Sequence, residues 1–254
     1  MSAPVLGRLV GAGKEAEVFE YGTNVVKLYK PTAPKRSAFR EAAALALVES
    51  LELPTPAVFG VVQIDARWGI VMARADAPSF ADAVARQPAL LPAYLREMAS
   101  LHVRIHGHLA THFASLTARL AANIRRAESL LGDTRQRRLL DGLAVLPEGR
   151  QLCHGDFHPF NILGPPGGAL VIDWLDACSG TPAADVCRSY VLMSSLDIDL
   201  AAAYVAAYAE VTATTRHEIF RWLPFIAAAR LAEGVPDEVD ALLEIVDRGE
   251  GFMP

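Results

Sequence analysis

Hydrophobic and polar positions alternate along the first 75 residues as they do in β-strands. Three strand-like runs fill residues 5–30 and are interrupted at Gly11–Gly13 and Gly22–Asn24. Two more runs, at about 57–64 and 68–73, follow a helical pattern over about 35–52 that ends at Leu53-Pro54-Thr-Pro56. A period of two with glycine-containing breaks is typical of antiparallel strands. The pattern predicts a small antiparallel sheet with one inserted helix.

The period of the apolar positions lengthens after Arg74-Ala-Asp-Ala-Pro78, which we interpret as a hinge. Helical patterns follow at about 79–87, 92–110, 116–131 and 134–144, and residues 183–250 are mostly helical with a break at Gly234-Val-Pro236. With 254 residues, 52% of them hydrophobic, the chain can bury one large core or two modest ones. We therefore predict an α+β fold with two lobes, a sheet lobe of residues 1–74 and a helical lobe of residues 75–254.

Polar residues that could take part in catalysis or metal binding are concentrated in one segment, Cys153-His-Gly-Asp156-Phe-His-Pro-Phe-Asn161-Ile-Leu163. Gly164–Gly168 then turns the chain between two short strands, and this hairpin is predicted to return Asp173 to the neighbourhood of Asn161. A kinase catalytic loop has the same H-x-D-x-x-x-x-N spacing and second aspartate. There, one carboxylate receives the proton of the attacking hydroxyl, and the amide and the second carboxylate hold Mg²⁺. The alternative is a surface loop in which these residues occur by chance.

Two upstream features fit the same chemistry. The segment Gly11-Ala-Gly13-Lys-Glu-Ala16-Glu-Val18 matches G-x-G-x-x-G-x-V except at Ala16, and a glycine-rich turn between strands lets backbone amides approach phosphates. Lys27 lies in the middle of the third strand, and Glu41 lies in the first turns of the following helix, where it is predicted to pair with Lys27. An exposed strand lysine and a surface helical glutamate are the alternatives.

These motifs together resemble the aminoglycoside phosphotransferase and choline kinase family, the small-molecule branch of the kinase-like fold. His154-Gly155-Asp156 is similar to the form of the catalytic loop in that branch, and Thr181-Pro-Ala-Ala-Asp185 is similar to its following helix start. The resemblance covers roughly residues 5–235 and implies a two-lobed fold with a nucleotide between the lobes. It also implies ATP as co-substrate, with GTP as an alternative, and Mg²⁺ as the metal.

The resemblance implies a role for each matching residue. Asp156 would be the catalytic base, and Asn161 and Asp173 the Mg²⁺ ligands. Nucleotide binding would involve Gly11, Gly13, Lys27, Glu41, Met72 and Ala73, with Met72 and Ala73 near the base. His154 is expected to be a buried scaffold residue, and Asp185 a structural acid that bonds backbone amides at a helix start.

The composition of the chain gives no sign of a membrane-bound or secreted protein. No apolar run reaches the roughly 18 residues of a membrane span, the first residues do not read as a signal peptide, and the three cysteines form no disulfide framework. We therefore expect a cytoplasmic protein without a membrane partner.

Two histidine pairs, His102/His106 and His108/His112, have the i,i+4 spacing of helical metal ligands, although packing or a polar network explains them better. A zinc site among the cysteines and histidines near residue 154 lacks a recognised ligand spacing.

Charge is divided unevenly along the chain. Residues 151–254 contain fifteen Asp and Glu and five Arg, a net charge of −10, so that the first 150 residues carry +5 of the total of −5. An acidic second half favours a cationic acceptor and argues against a nucleic-acid partner, although ordinary solvated helix surfaces account for it as well. Residues available to contact an amine are Asp176, Asp197, Asp199, Glu233, Asp237, Trp174 and Trp222.

The sequence thus predicts an enzyme that moves the γ-phosphoryl group of Mg·ATP or Mg·GTP to a hydroxyl of a small molecule. An aminoglycoside, an amino sugar or an amino alcohol would suit the charge. An atypical Ser/Thr protein kinase and a nucleotide-binding pseudokinase without turnover are the alternatives. The sequence leaves the acceptor, the oligomeric state and the physiological role open.

Overall fold

A computed structural model describes residues 5–249 of the protein. Its contacts divide the chain into two compact units. The first contains the described residues through Gln87 together with Pro159–Asp176, and the second contains Pro88–His158 and the residues from Ala177 onward. These units do not coincide with the predicted lobes of residues 1–74 and 75–254, and that functional division stays a prediction.

The strands are β1 (Leu6–Ala12), β2 (Ala16–Tyr21), β3 (Asn24–Tyr29), β4 (Val58–Ile64), β5 (Arg67–Met72), β6 (Gln151–Cys153), β7 (Ile162–Leu163), β8 (Leu170–Val171) and β9 (Cys178–Gly180). The helices are α1 (Lys35–Ser50), α2 (Phe80–Arg86), α3 (Leu91–His106), α4 (Leu116–Arg126), α5 (Glu128–Ala144), α6 (Pro182–Ser194), α7 (Ile198–Val211), α8 (Arg216–Phe220), α9 (Leu223–Leu231) and α10 (Val239–Arg248). No helix within residues 5–249 is long and apolar enough to cross a membrane.

The first unit is built on an antiparallel sheet of five strands in the order β1-β2-β3-β5-β4. The β2–β3 hairpin turns at Gly22, whose φ of 65° suits glycine in a two-residue turn. Val26, Leu28 and Val71 form the buried face of the central strands. The predicted antiparallel sheet is confirmed, because every pair of neighbouring strands in it is antiparallel.

Helix α1 packs against β4 and β5. Its buried residues, Ala38, Glu41, Ala44, Leu45 and Val48, recur at the three- and four-residue spacing of one helical face. Only one of these is charged, and its side chain therefore needs partners inside the unit. The β7–β8 hairpin belongs to the same unit, where the Val171 N–H donates to the Pro54 carbonyl at 2.7 Å.

The second unit is mainly helical. Nearly every residue of α6 is buried, and this helix packs against α7, α8 and α9. The short strands β6 and β9 pair next to α4, at a position where a Cβ on Gly180 would lie 2.7 Å from the Leu116 Cβ. A small sheet with one helix, followed by a helical majority, confirms the predicted α+β class.

Two predicted helix boundaries were wrong. The helix expected over 92–110 ends at His106, and the helix expected over 116–131 is interrupted at Ala127, between α4 and α5. Helix α5 then bends at Gly132, whose φ of 71° lies outside the range of a right-handed helix, and this bend falls in the break predicted between residues 131 and 134. Leucines and arginines continue across Ala127 with a helical period, so that the pattern of side chains does not mark that interruption.

Candidate active site

Three charged side chains of the first unit meet at Lys27. This residue lies in the middle of β3, and its side chain is 12% exposed. Its Nζ donates to Glu41 Oε1 at 2.8 Å and to Asp173 Oδ1 at 2.8 Å. A strand, a helix and the segment after β8 thus each contribute one member of the cluster. The predicted pairing of Lys27 with Glu41 is present in the structure, and Asp173 joins the same ammonium group.

Tyr29 completes the cluster. Its hydroxyl donates to Glu41 Oε2, so that both oxygens of this carboxylate, which is 1% exposed, have a donor. Burial by itself lowers the pKa of Lys27, but the negative charges of Glu41 and Asp173 outweigh burial and raise the pKa above its usual value. Lys27 is therefore a fixed positive charge whose direction is set by two carboxylates.

The β7–β8 hairpin brings the segments of Asn161 and Asp173 together, as predicted. Ile162 pairs with Val171, and the Ile172 N–H donates to the Asn161 carbonyl at 2.9 Å. The φ of Asp173 is 64°, a left-handed conformation that aspartate and asparagine adopt more readily than most residues. The buried indole of Trp174 donates to the Val171 carbonyl at 3.1 Å and fixes the chain just beyond this point.

Asn161 and Asp173 offer the ligand atoms that Mg²⁺ prefers, an amide oxygen and a carboxylate. The Asp173 side chain is 38% exposed, which leaves it accessible to a metal and its water ligands. One of its oxygens accepts from Lys27 Nζ, and this bond holds the carboxylate in one orientation. The donor set therefore fits the implied metal.

The catalytic-loop residues His154, Gly155 and Asp156 lie in the second unit. The His154 and Gly155 N–H groups donate to the Asp185 carboxylate at 2.7 and 2.9 Å. The Asp156 N–H donates to His154 Nδ1 at 3.2 Å, and Gly155 has a φ of 81°. The predicted structural role of Asp185 agrees with these contacts, because its carboxylate bonds backbone amides from the start of α6.

Two neighbouring side chains, His158 and Arg188, change the pKa of Asp156. Burial raises the pKa of this carboxyl, but the hydrogen bond and charge of His158, together with the charge of Arg188, lower it below its ordinary value. The His158 Nε2 lies 3.5 Å from Asp156 Oδ2. Asp156 is thus a carboxylate at neutral pH, the form that can accept a proton or a hydroxyl hydrogen bond.

Comparison with known proteins shows the family of the chain. A family model described as the phosphotransferase enzyme family matches residues 7–223, which is most of the chain. The protein belongs to this family. The predicted family and the predicted class of enzyme, a phosphotransferase, are thereby confirmed. No curated protein matches the sequence.

Several solved structures share the fold. A thermostable mutant of aminoglycoside phosphotransferase APH(4)-Ia, in a ternary complex with ADP and hygromycin B, is similar with a TM-score of 0.68 and 17% identity, over 98% of this chain and 92% of that one. A choline/ethanolamine kinase family protein from Mesorhizobium loti has a TM-score of 0.65 and 16% identity, over 98% and 82%. ADP-bound APH(2'')-Ib has a TM-score of 0.64 and 15% identity, over 98% and 94%. These likenesses confirm the predicted kinase-like fold.

The glycine segment forms the turn between β1 and β2. Gly11 pairs with Val18 in the ladder, and the Gly13 N–H donates to the Ala16 carbonyl at 2.8 Å. Ala16, the departure from the third glycine, is already the first residue of β2 and pairs with Tyr29. An alanine in a strand needs no unusual φ, which explains why the motif tolerates it here. The role of Gly11 and Gly13 at phosphates stays a prediction.

Met72 ends β5 and is buried, and the next residue, Ala73, donates its N–H to the Ala57 carbonyl at 2.8 Å. This bond fixes the start of the segment that the sequence places at the nucleotide base. The structure locates Met72 and Ala73 in the same unit as Lys27. Their contact with a nucleotide base stays a prediction.

Most of the residues suggested for an acceptor are engaged elsewhere. Asp197 accepts the N–H groups of Asp199 and Leu200 as the N-cap of α7. Glu233 pairs with Arg188 and Arg230, and Asp176 pairs with Arg40. Trp174 and Trp222 are buried in the core and offer no exposed wall. Asp199 and Asp237 are exposed.

The sequence reasoning missed Tyr29 and Arg188. Tyr29 lies two residues after Lys27 in β3, so that the period of a strand places both side chains on one face. That signal was available. Arg188 Nε donates to the Gly155 carbonyl at 3.4 Å from the middle of α6. Only the packing of α6 against the loop reveals this contact.

Proposed function

We propose that the protein transfers the γ-phosphoryl group of ATP to a hydroxyl group of a small molecule, with GTP as the alternative donor and Mg²⁺ as the metal. The observation that carries the proposal is the Lys27–Glu41–Asp173 cluster. A largely buried lysine held by two carboxylates at 2.8 Å is a costly arrangement that a purely structural strand does not need. It supplies a directed positive charge of the kind that phosphoryl transfer uses.

The first unit would hold the nucleotide. Lys27 would neutralise negative charge on the phosphates, and Glu41 would keep its ammonium group in place. Backbone amides of the Gly11–Gly13 turn would approach the phosphates, and the segment at Met72 and Ala73 would meet the base. Support comes from the neighbours, of which APH(4)-Ia and APH(2'')-Ib are solved with ADP.

Asp156 would orient the acceptor hydroxyl and accept its proton. In the transfer, the acceptor oxygen forms a bond to the γ-phosphorus, and the bond from that phosphorus to the β–γ bridging oxygen breaks. The electron pair of the broken bond leaves with ADP, and the hydroxyl proton passes to an Asp156 carboxylate oxygen. Asp156 suits this role because the charge of Arg188 and the contact with His158 favour its ionised form.

Asn161 and Asp173 would hold the metal through oxygen atoms. Bound Mg²⁺ would supply charge neutralisation at the phosphate oxygens. The hairpin bond between Ile172 N–H and the Asn161 carbonyl supports the joint role, because it keeps the two ligand-bearing segments in register. The hydrogen bond from Lys27 Nζ to Asp173 Oδ1 also supports this role, because it fixes the orientation of the carboxylate.

The acceptor would be a small alcohol, and its charge is the open part of the proposal. The acidic second half of the chain supports a cation such as an amino sugar or amino alcohol. Against this, Asp197, Glu233 and Asp176 already have partners. The surplus of acid is therefore a weaker argument than the net charge of −10 suggests.

The test is a screen of candidate acceptors that differ in charge. The purified protein is incubated with Mg·ATP or Mg·GTP and with cationic, neutral and anionic hydroxyl compounds, and product is identified by the mass increase of one phosphoryl group. We expect one class of acceptor to give stoichiometric ADP and phosphorylated product. Label on a polypeptide would instead indicate a protein kinase. Mg·ATP binding without product from any acceptor would indicate a pseudokinase and overturn the proposal.

A further inference from the structure

Two buried histidines of α3 lie beside the catalytic loop without a role in the transfer. His102 and His106 are one helical turn apart, and their ring centroids are separated by 4.0 Å. Both are buried, and His102 has no exposed surface. A buried imidazole needs a partner at each nitrogen, because an unpaired polar atom in the interior is destabilising. The structure provides a partner for all four nitrogens.

The Nε2 atoms of both rings face one carboxylate. His102 Nε2 lies 2.9 Å and His106 Nε2 lies 3.3 Å from Asp185 Oδ2. On the opposite side, His106 Nδ1 lies 2.8 Å from the Tyr208 hydroxyl, and His102 Nδ1 bonds the Tyr204 hydroxyl. Each ring therefore bridges α7 to the carboxylate at the start of α6.

The same carboxylate holds the catalytic loop. Asp185 accepts the N–H groups of His154 and Gly155, the two residues that precede Asp156. On the other side of Asp156, the Phe157 ring stacks on the His102 ring, with centroids 4.1 Å apart and an interplanar angle of 23°. His102 thus contacts both the anchor of the residues before Asp156 and the residue after it.

We propose that His102 and His106 are positioning residues that hold the backbone of residues 154–157 in the geometry for transfer. Each ring donates its Nε2–H group to Asp185 and accepts a hydrogen bond from a tyrosine hydroxyl at Nδ1. The inference rests on the proposed function, since it concerns the loop that carries Asp156. The neutral tautomer follows from the arrangement, because Tyr204 and Tyr208 then donate and no second charge is buried beside Asp185.

Metal binding is the competing interpretation of the same atoms. Ligand atoms of His102, His106 and Asp185 lie within 4.8 Å of one another, as in a divalent metal site. Hydrogen bonding accounts for the geometry better, for two reasons. The distance from His102 Nε2 to Asp185 Oδ2, 2.9 Å, is that of a hydrogen bond, and the same oxygen already accepts the His154 N–H at 2.7 Å.

The kinetic test compares variants that keep or remove the donor. Glutamine retains an N–H group near the position of Nε2, whereas leucine retains bulk alone. We expect His102→Leu and His106→Leu to lower kcat by about tenfold to a hundredfold through misplacement of the loop, with the KM for ATP changed less than about twofold. The Gln variants and Tyr208→Phe should lie between these and the wild type. His112→Leu, at an exposed histidine of the other pair, is the matched control and should leave both constants unchanged.

A second measurement does not need an acceptor. The ¹⁵N chemical shifts of the two imidazoles report the tautomer, and the amide resonances of Gly155 and Asp156 report the loop. We expect Nε2–H tautomers in the wild type, and a shift of the loop amides in His102→Leu but not in His112→Leu. Unchanged loop amides, wild-type kcat in folded His102→Leu, or one equivalent of bound zinc would overturn the inference. A wild type without any acceptor would instead count against the proposed function and leave this second measurement valid.

Discussion

At the scale of single residues, the candidate site depends on which groups donate hydrogen bonds to the Glu41 carboxylate. Its carboxylate is buried on the apolar face of α1, and its oxygens accept from Lys27 and Tyr29. Breaking a buried pair by removal of one partner is far more destabilising than the pair itself is stabilising, because a charge remains without compensation. The stability of the first unit and the direction of Lys27 are therefore linked through one carboxylate.

We predict that Lys27→Met lowers the free energy of unfolding by about 3 kcal/mol, since Glu41 is left buried with only a hydroxyl donor. Adding Glu41→Gln should recover a large part of that loss, because the amide carries no charge. Denaturant unfolding of the wild type, the single variant and the double variant measures both effects. A double variant less stable than Lys27→Met would contradict this account of the pair.

We predict that Asp173→Asn abolishes most of the Mg²⁺-dependent stabilisation of the protein by ATP. Asparagine tolerates the φ of 64° at this position, so that the backbone is preserved while the charged ligand is lost. Thermal unfolding with ATP, in the presence of Mg²⁺ or EDTA, makes the comparison. Asp176→Asn, three residues later, is the control and should behave as the wild type. Retained stabilisation in Asp173→Asn would remove this residue from the metal site.

At the scale of elements, the alternating pattern of the first 75 residues was sufficient to predict β1 to β5, and the helical pattern inserted in it predicted α1. The hairpin of β7 and β8 followed from its glycines, and with it the approach of Asn161 to Asp173. The interruption at Ala127 was not predictable, because helical periodicity continues across it, whereas the bend at Gly132 falls in the break predicted between residues 131 and 134. The burial of Trp174 and Trp222 was also missed, since a tryptophan in sequence fits a core and a binding wall equally well.

The N-cap of α7 gives a test that separates stability from acceptor binding. We predict that Asp197→Ala lowers the free energy of unfolding by about 1 kcal/mol, because two backbone N–H groups lose their acceptor. Chemical denaturation measures the loss, and Glu210→Ala at the exposed end of the same helix should change stability by less than about 0.5 kcal/mol. An altered KM for an identified acceptor in Asp197→Ala would instead place this residue in the acceptor site.

At the scale of the whole molecule, the sequence suggested roles for the residues of the catalytic loop but did not reveal which side chains support the loop. The linear motif contains His154, Asp156 and Asn161, so that spacing alone suggested their chemistry. Tyr204 and Tyr208 lie about a hundred residues from their histidine partners, a separation across which no local pattern operates. The i,i+4 spacing of His102 and His106 gave a common face, but only the packing of α3, α6 and α7 shows what that face contacts.

The buried histidine also sets a pH dependence of folding. Burial, with the neighbouring His106, lowers the pKa of His102 to about 3, whereas an exposed histidine titrates near about 6.5. The unfolded chain therefore binds the proton more tightly, and stability that is present above pH of about 6.5 is lost as the pH falls toward about 3. Asp185 acts in the same direction, since hydrogen bonds from the histidines outweigh burial and lower its pKa.

We accordingly predict a steep loss of unfolding free energy between about pH 6.5 and pH 3. Denaturant titrations at intervals across this range test it. His102→Gln cannot be protonated, so that its stability should fall less over the same interval. Parallel curves for the wild type and His102→Gln would show that the acid sensitivity arises at other groups.

The central claim is that Asp156 receives the proton of the acceptor hydroxyl as the γ-phosphoryl group moves. Its most direct test is single-turnover transfer from γ-labelled ATP to the acceptor found in the screen, with the wild type, Asp156→Asn and the exposed control Asp141→Asn. We predict that Asp156→Asn lowers the rate by about 10²–10⁴-fold while ATP binding is retained, and that Asp141→Asn is unaffected. Transfer by Asp156→Asn at the wild-type rate would contradict the claim.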